Sequence, residues 1–250
     1  MRLLEPLVAD PRAPLARPHP LAKLVAAFIL MIALFVTVDI VTSSIVLVAL
    51  LVAARFSGLP PRSLAARAAP LLLAASSLGL FNAVLSGDAA AGIAIALRII
   101  GVSLAGMLAV TTIDPTDLAD GLVEHARAPS RFVVGALAAL RLFPLFSREW
   151  DTLGLARRAR GVEADRSVID RVRAFPGRAL GLLVAGIRRA TRLALAMDAR
   201  GFGSREGRTL ARPRPLVPRD GWLVAGAFAL AATATTVSIA LGTWRPLVTF

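Results

Sequence analysis

The chain contains no cysteine, a single lysine at Lys23 and only two histidines, His19 and His125. Without cysteine there are no disulfides, no thiolate nucleophiles and no Cys-ligated zinc or iron–sulfur centres. With its one lysine at Lys23, the chain has no Gly-x-x-x-x-Gly-Lys-Ser/Thr loop and therefore no P-loop ATPase site of its own. The two histidines stand far apart with no clustered carboxylates, so neither a metal centre nor His-based catalysis is expected, and each reads as an interfacial or capping residue. Charge is also scarce: charged residues make up 18% of the 250, against about 25% in a soluble domain.

What is present is apolar sequence, at 56% of residues and a mean hydropathy of +0.70. That content excludes a disordered chain and argues against an ordinary soluble enzyme. The 29 basic residues outnumber the 16 acidic ones, giving a net charge of +13, and they fall in blocks between long uncharged runs. Basic blocks beside apolar runs follow the positive-inside rule or meet anionic lipid, so nucleic acid is not an expected partner. The expected class is an all-α polytopic membrane protein.

A membrane-spanning helix needs about 20 apolar residues, and five runs approach that length. They extend from Leu21 or Leu24 to Val38, from Ile40 to Ala54, from near Ala68 to Leu85 with Pro70 in a first helical turn, from Ala89 to Thr112, and from Trp222 to Leu241. Trp222 and Trp244 flank the last as interfacial anchors. With the N-terminus inside, every basic residue except Arg98 and Arg245 falls on the cytoplasmic side, which predicts a cytoplasmic N-terminus and an outer C-terminus. Arg98 lies within the fourth run, where its guanidinium is expected to bond carbonyls or to pair with Asp39 or Asp88.

Three regions follow: a membrane part over residues 1–112, a basic interfacial region over 113–221, and a last span with its tail over 222–250. The middle region opens on Asp114-Pro115-Thr116-Asp117, a turn suited to a helix N-terminus, and breaks again at Ala128-Pro129-Ser130. A helix is predicted from Arg131 to Arg160 with a kink at Pro144, and a second from Pro176 to Arg200. In the second, Leu180, Leu183, Val184, Ile187, Thr191 and Ala194 recur at spacings of three and four, the mark of an amphipathic helix. Phe132 to Phe146 reads alternatively as a short sixth span, and a crossing in each helix would preserve the topology.

The most specific feature is an internal echo. Leu155-Ala156-Arg157-Arg158-Ala159-Arg160-Gly161 matches Leu195-Ala196-Met197-Asp198-Ala199-Arg200-Gly201 at five of seven positions, 40 residues apart. One copy is explained as a helix end, with Gly in a left-handed conformation past the cap and Arg complementing the negative end of the dipole. Two copies suggest paired guanidinium forks offered to acidic pockets on two partner subunits.

These two helix ends resemble the signature of the transmembrane T component of energy-coupling factor (ECF) transporters, the EcfT/CbiQ-type family. His19-Pro20-Leu21-Ala22-Lys23-Leu24 is similar to the family's Asp-Pro-x-x-Lys-Leu entry, and Leu140-Arg141-Leu142-Phe143-Pro144 to its Leu-Arg-Phe-x-Pro segment. Thr111 to Leu118 resembles its post-span turn. His19 replaces the usual Asp, Arg157-Arg158 stands where Gln-Arg is common, and Asp198 stands where Glu is common. The resemblance implies long coupling helices whose Ala159-Arg160-Gly161 and Ala199-Arg200-Gly201 ends enter grooves on two ABC-type ATPase subunits. It further implies a small membrane-embedded substrate-binding (S) subunit that carries a vitamin or transition-metal ion. ATP would be bound by the partners, leaving this chain with no cofactor and no catalytic or metal site. The alternative reading is a self-sufficient secondary transporter or channel, which calls for inverted repeats or paired polar intramembrane residues.

Overall fold

The computed structural model describes residues 13–58, 60–161, 167–202 and 215–244, and among these every regular element is an α-helix. In chain order they are α1 (Pro20–Val36), α2 (Ile40–Arg55), α3 (Pro61–Ser86), α4 (Ala89–Thr112), α5 (Pro115–Glu124), α6 (Ser130–Ala159), α7 (Val168–Ala199) and α8 (Pro218–Ala240). They divide into two compact units. One takes α1 to α4, the first part of α5, and α8; the other takes the rest of α5, α6 and α7.

Helix boundaries follow local chemistry. Asp39 and Asp88 cap α2 and α4, accepting from the backbone N–H of Thr42 at 2.7 Å and of Ala90 at 2.8 Å. Gly87, at φ +67°, takes the left-handed turn that reverses α3 into α4. His19 caps α1 through Nδ1, which accepts from Leu21 N–H at 3.2 Å, in line with the capping role expected of it. Two predicted starts are corrected. α3 begins at Pro61 rather than near Ala68, because Pro61 sits at the first helical position and the Pro60 carbonyl accepts from Ser63 and Leu64. α7 begins at Val168 rather than Pro176, capped by the Ser167 hydroxyl on Asp170 N–H at 3.1 Å. Pro70, Pro144 and Pro176 all stand inside helices, and α6 is one continuous helix through Pro144.

The first unit is held by small residues that let helices approach closely. Its core joins Leu30 and Leu34 of α1, Val46 and Leu50 of α2, Leu104 and Leu108 of α4, and Ala227, Ala231 and Ala234 of α8. Between α3 and α4 the backbones themselves meet: a Cβ on Gly92 would stand 2.5 Å from the Gly79 carbonyl and 2.5 Å from the Ala83 Cβ. Gly92→Val is therefore expected to part the two helices at a cost of about 1–3 kcal/mol. A thermal melt of the detergent-purified protein reads this as a lower midpoint, and an unchanged midpoint would contradict the packing.

Buried polar contacts fix which helix ends share a side. Lys23 Nζ donates to the carbonyls of Ala16 and Thr112, each at 2.8 Å, and Leu15 N–H donates to Phe56 O at 3.3 Å. His19 N–H donates to Asp220 Oδ1 at 2.6 Å. The starts of α1 and α8 and the ends of α2 and α4 thus lie together. At the opposite side Ser238 Oγ, near the end of α8, donates to Asp39 Oδ2 at 2.7 Å. α1, α2, α3, α4 and α8 therefore traverse this unit five times, and the chain leaves α4 and re-enters α8 on one side. Any crossings between them come in pairs, so α6 is not a lone sixth span.

Four helices, α3, α4, α6 and α8, are long and apolar enough to cross a membrane, while α1 and α2 are apolar but shorter, at 17 and 16 residues. At 1.5 Å per residue these reach roughly 25 Å, a little under the ~30 Å hydrocarbon core. The α1–α2 corner meets that shortfall with internally bonded polar groups: Thr37 bonds Ala33 O at 2.9 Å and Asp39 takes the two bonds above. Arg98 on α4 donates to the Phe35 carbonyl at 2.7 Å with its guanidinium 5.0 Å from the Phe35 ring centre, which realises the carbonyl-bonding reading.

Candidate coupling-helix ends

In the second unit α6 and α7 lie antiparallel, with Phe146 against Gly186, Leu153 against Gly181 and Trp150 5.4 Å from Phe175. Glu149 and Arg189 add an ion pair at 3.3 Å, part-exposed and worth at most about 1 kcal/mol. The closest approach is reciprocal. The Arg178 guanidinium of α7 lies over Gly154 of α6, where a Cβ would stand 2.9 Å from Cζ, and 5.9 Å from the Trp150 ring centre. Conversely the Arg157 guanidinium of α6 lies over Gly177 of α7, where a Cβ would stand 2.8 Å from Nη2. Each glycine gives a planar cation room to lie flat on the facing helix. This clasp is absent from the sequence-based expectations: Gly135 and Gly154 stand in α6 and Gly177, Gly181 and Gly186 in α7, and nothing local singles out Gly154 and Gly177.

The two echoed heptapeptides end the two helices. Arg160 caps α6 at φ −85°, its N–H bonded to Ala156 O at 3.3 Å, and Gly161 follows at φ +70° with its N–H on Arg158 O at 2.9 Å. Arg200 caps α7 at φ −91°, and Gly201 follows at φ +76°. Gly201 N–H bonds Asp198 O at 2.9 Å and Phe202 N–H bonds Met197 O at 3.0 Å, a complete Schellman motif. Positive φ at both glycines is the conformation a β-carbon disfavours, which accounts for Gly in each copy.

Ala159, Arg160, Gly161, Ala199, Arg200 and Gly201 are all exposed, and a Cβ on either glycine would meet nothing within 4 Å. Neither Arg160 nor Arg200 makes a side-chain hydrogen bond or ion pair with another described residue. The structure does not bring the two ends together. The Arg157–Gly177 contact lies three residues before Arg160 but 23 before Arg200, roughly 35 Å along the helix axis. Two separate, open, cation-tipped helix ends result, each with a backbone turn that lets another surface approach closely.

The apolar stripe expected on α7 is also outward: Leu180, Leu183, Val184 and Ile187 are exposed, while Gly177, Arg178 and Gly181 face α6. Among the described residues no three His, Cys, Asp or Glu side chains gather as a metal site would require. His125 lies in the turn after α5.

The family model for CbiQ, a cobalt transport protein, matches residues 11–210. This chain belongs to that family. The matched span includes both echoed helix ends and four of the five apolar traverses, so with its long apolar helices the chain is a multi-pass membrane protein. Family relatives include the energy-coupling factor transporter transmembrane protein EcfT of Bacillus subtilis (strain 168), 32% identical over 163 residues that make up 62% of this chain and 61% of its own. The EcfT of Heliobacterium modesticaldum is 29% identical over 163 residues, 62% and 58% of the two chains. That of Listeria innocua is 38% identical over 112 residues, 41% and 42%. The chain thus spans about three fifths of the length of the first two relatives.

Proposed function

We propose that this family member is the transmembrane coupling subunit of an ATP-driven ECF-type uptake transporter for a vitamin or a transition-metal ion. In this reading Arg160 engages one ABC-type ATPase subunit and Arg200 the other. ATP is bound by those partners, and α6 and α7 carry their closure to a small membrane-embedded substrate-binding subunit. The observation that carries the reading is the pair of exposed Ala-Arg-Gly helix ends, each closed by a left-handed glycine with open space around it. Arg suits this use because its planar fork matches a carboxylate bidentately, where Lys presents a point charge. The separation of the two ends fits two partner subunits better than one.

The orientation in this proposal is N-terminus cytoplasmic and C-terminus outside. Its support is that Arg17, Lys23, Arg55, Arg62 and Arg67 accompany the helix ends that lie with the α1 start, the side from which α5, α6 and α7 also depart.

The test is affinity purification of the tagged chain from its native membrane in mild detergent, with identification of what accompanies it. Two P-loop ATPases and a small, very hydrophobic membrane protein are the expected companions, and the small protein gives the cargo class. A stable homo-oligomer that transports in liposomes without ATP would overturn the proposal and make the chain a secondary carrier.

A further inference from the structure

Arg98 of α4 carries five N–H donors and has one acceptor among the described residues. Its Nη2 donates to the Phe35 carbonyl at 2.7 Å, which closes one of the carbonyls left open in the last turn of α1. Among the described residues the side chain makes no further hydrogen bond and no ion pair, so neither Asp39 nor Asp88 is its partner. Four donors and a full charge therefore remain on a half-buried guanidinium, on a helix long and apolar enough to cross the membrane. In hydrocarbon such donors must find an oxygen, because leaving them unmet is costly and water is scarce.

The surroundings narrow the choice of oxygen. Phe35, whose ring centre lies 5.0 Å from the guanidinium, ends a stripe of exposed side chains, Phe28, Ile32 and Phe35, at spacings of four and three on one face of α1. That face is turned away from the core, which α1 meets through Ala26, Leu30 and Leu34. Phe35 also stands four residues before Asp39, so the guanidinium lies about one helical turn, roughly 5 Å, below the polar α1–α2 corner. α1 and α2 are short for the hydrocarbon core, and a short apolar stretch draws the bilayer surface inward around it. Headgroups are thereby brought within reach of a long side chain at the level of Arg98.

We propose that Arg98 binds the phosphate of one phospholipid in the leaflet at the α1–α2 corner, with an acyl chain lying along Phe28, Ile32 and Phe35. A phosphate offers paired, charged oxygens that match the guanidinium fork. Phe35 joins the two parts of the site: its carbonyl and ring hold the cation, and its exposed ring begins the track for the chain. Anionic and zwitterionic phospholipids both carry the phosphate, so the site selects for that group and not for net headgroup charge. The proposal is independent of the coupling role: it rests on the first unit alone.

The test uses full-length protein in detergent carrying Trp150→Phe, Trp222→Phe and Trp244→Phe, with Phe28→Trp as the one fluorescent reporter, titrated with lipids whose acyl chains are brominated. Phosphatidylglycerol and phosphatidylcholine are expected to quench saturably and at similar concentrations. Diacylglycerol with the same chains, which lacks the phosphate, is expected to need roughly tenfold more. Arg98→Gln should raise both phospholipid midpoints to that of diacylglycerol and leave diacylglycerol unchanged, while Arg98→Lys, which keeps the charge without the fork, should fall between. Equal titrations by phospholipid and diacylglycerol in the protein that keeps Arg98 would overturn the proposal, whether or not the Arg98→Gln variant folds. So would an unchanged phospholipid midpoint in Arg98→Gln, or displacement of the lipid by millimolar inorganic phosphate, which would assign the cation to a free anion.

Discussion

Replacing Arg160 and Arg200 together by Ala is expected to give a protein that inserts and folds normally but recovers almost no ATPase on purification and supports no ATP-driven uptake. Both side chains are exposed and make no bond to the described residues around them, so their loss leaves the fold within about 0.5 kcal/mol of its stability. On the proposed coupling role, what is lost is the contact with the ATPase partners. Truncating one member of a buried, hydrogen-bonded charge pair across an interface costs about 2–5 kcal/mol, or roughly 30-fold to several thousandfold in affinity per anchor. Each single variant should therefore retain one ATPase and lose most transport. Arg→Lys at the same positions separates charge from shape: it keeps the cation but not the fork, and partial recovery is expected. Wild-type ATPase recovery and uptake in the double variant would sink the assignment of these residues.

Asp220→Ala is expected to be the most destabilising single substitution at the starts of α1 and α8. The carboxylate is 6% exposed and accepts two backbone N–H groups, from His19 and from Val217, which lie 201 and 3 positions before it in the chain. Removing it strands both donors, at about 1–3 kcal/mol each. A loss of that size is a large share of the 5–15 kcal/mol typical of a folded domain. Asp220→Asn, with one accepting oxygen instead of two, should fall between. The melting midpoint in detergent reads the series, and equal midpoints for the native chain and the Asp220→Ala variant would show that the bonds carry no net stability.

Much of the membrane unit was legible because charge and apolar run length mark its helix ends directly. Asp39, Arg55 and Asp88 bound α2 and α4 at the residues where the structure places them. Proline misled at α3 and α7 for one reason: a Pro beside the start of an apolar run reads as a first turn. In fact hydropathy marks where a helix becomes apolar rather than where it begins, and Arg62, Arg67 and Arg173 sit on helical turns before Pro70 and Pro176. The Ala-Arg-Gly ends were legible because left-handed glycine after a basic cap is local chemistry. The pairings of His19 with Asp220, Asp39 with Ser238 and Arg178 with Gly154 were not, since no local pattern in one sequence encodes contacts between distant helices.

The parallel packing of α1 on α8 has a consequence for biosynthesis. α1 packs more extensively on α8 than on any other helix, yet about 180 residues are translated between them. At 5–20 residues per second the ribosome takes roughly 10–40 s to supply the partner. Through that interval the Asp39 carboxylate lacks the Ser238 hydroxyl and the His19 N–H lacks Asp220. A chain stopped anywhere before Pro218 never gains those two α8 partners, so the buried polar bonds that tie α1 and the α1–α2 corner to α8 form only once the last helix has been made.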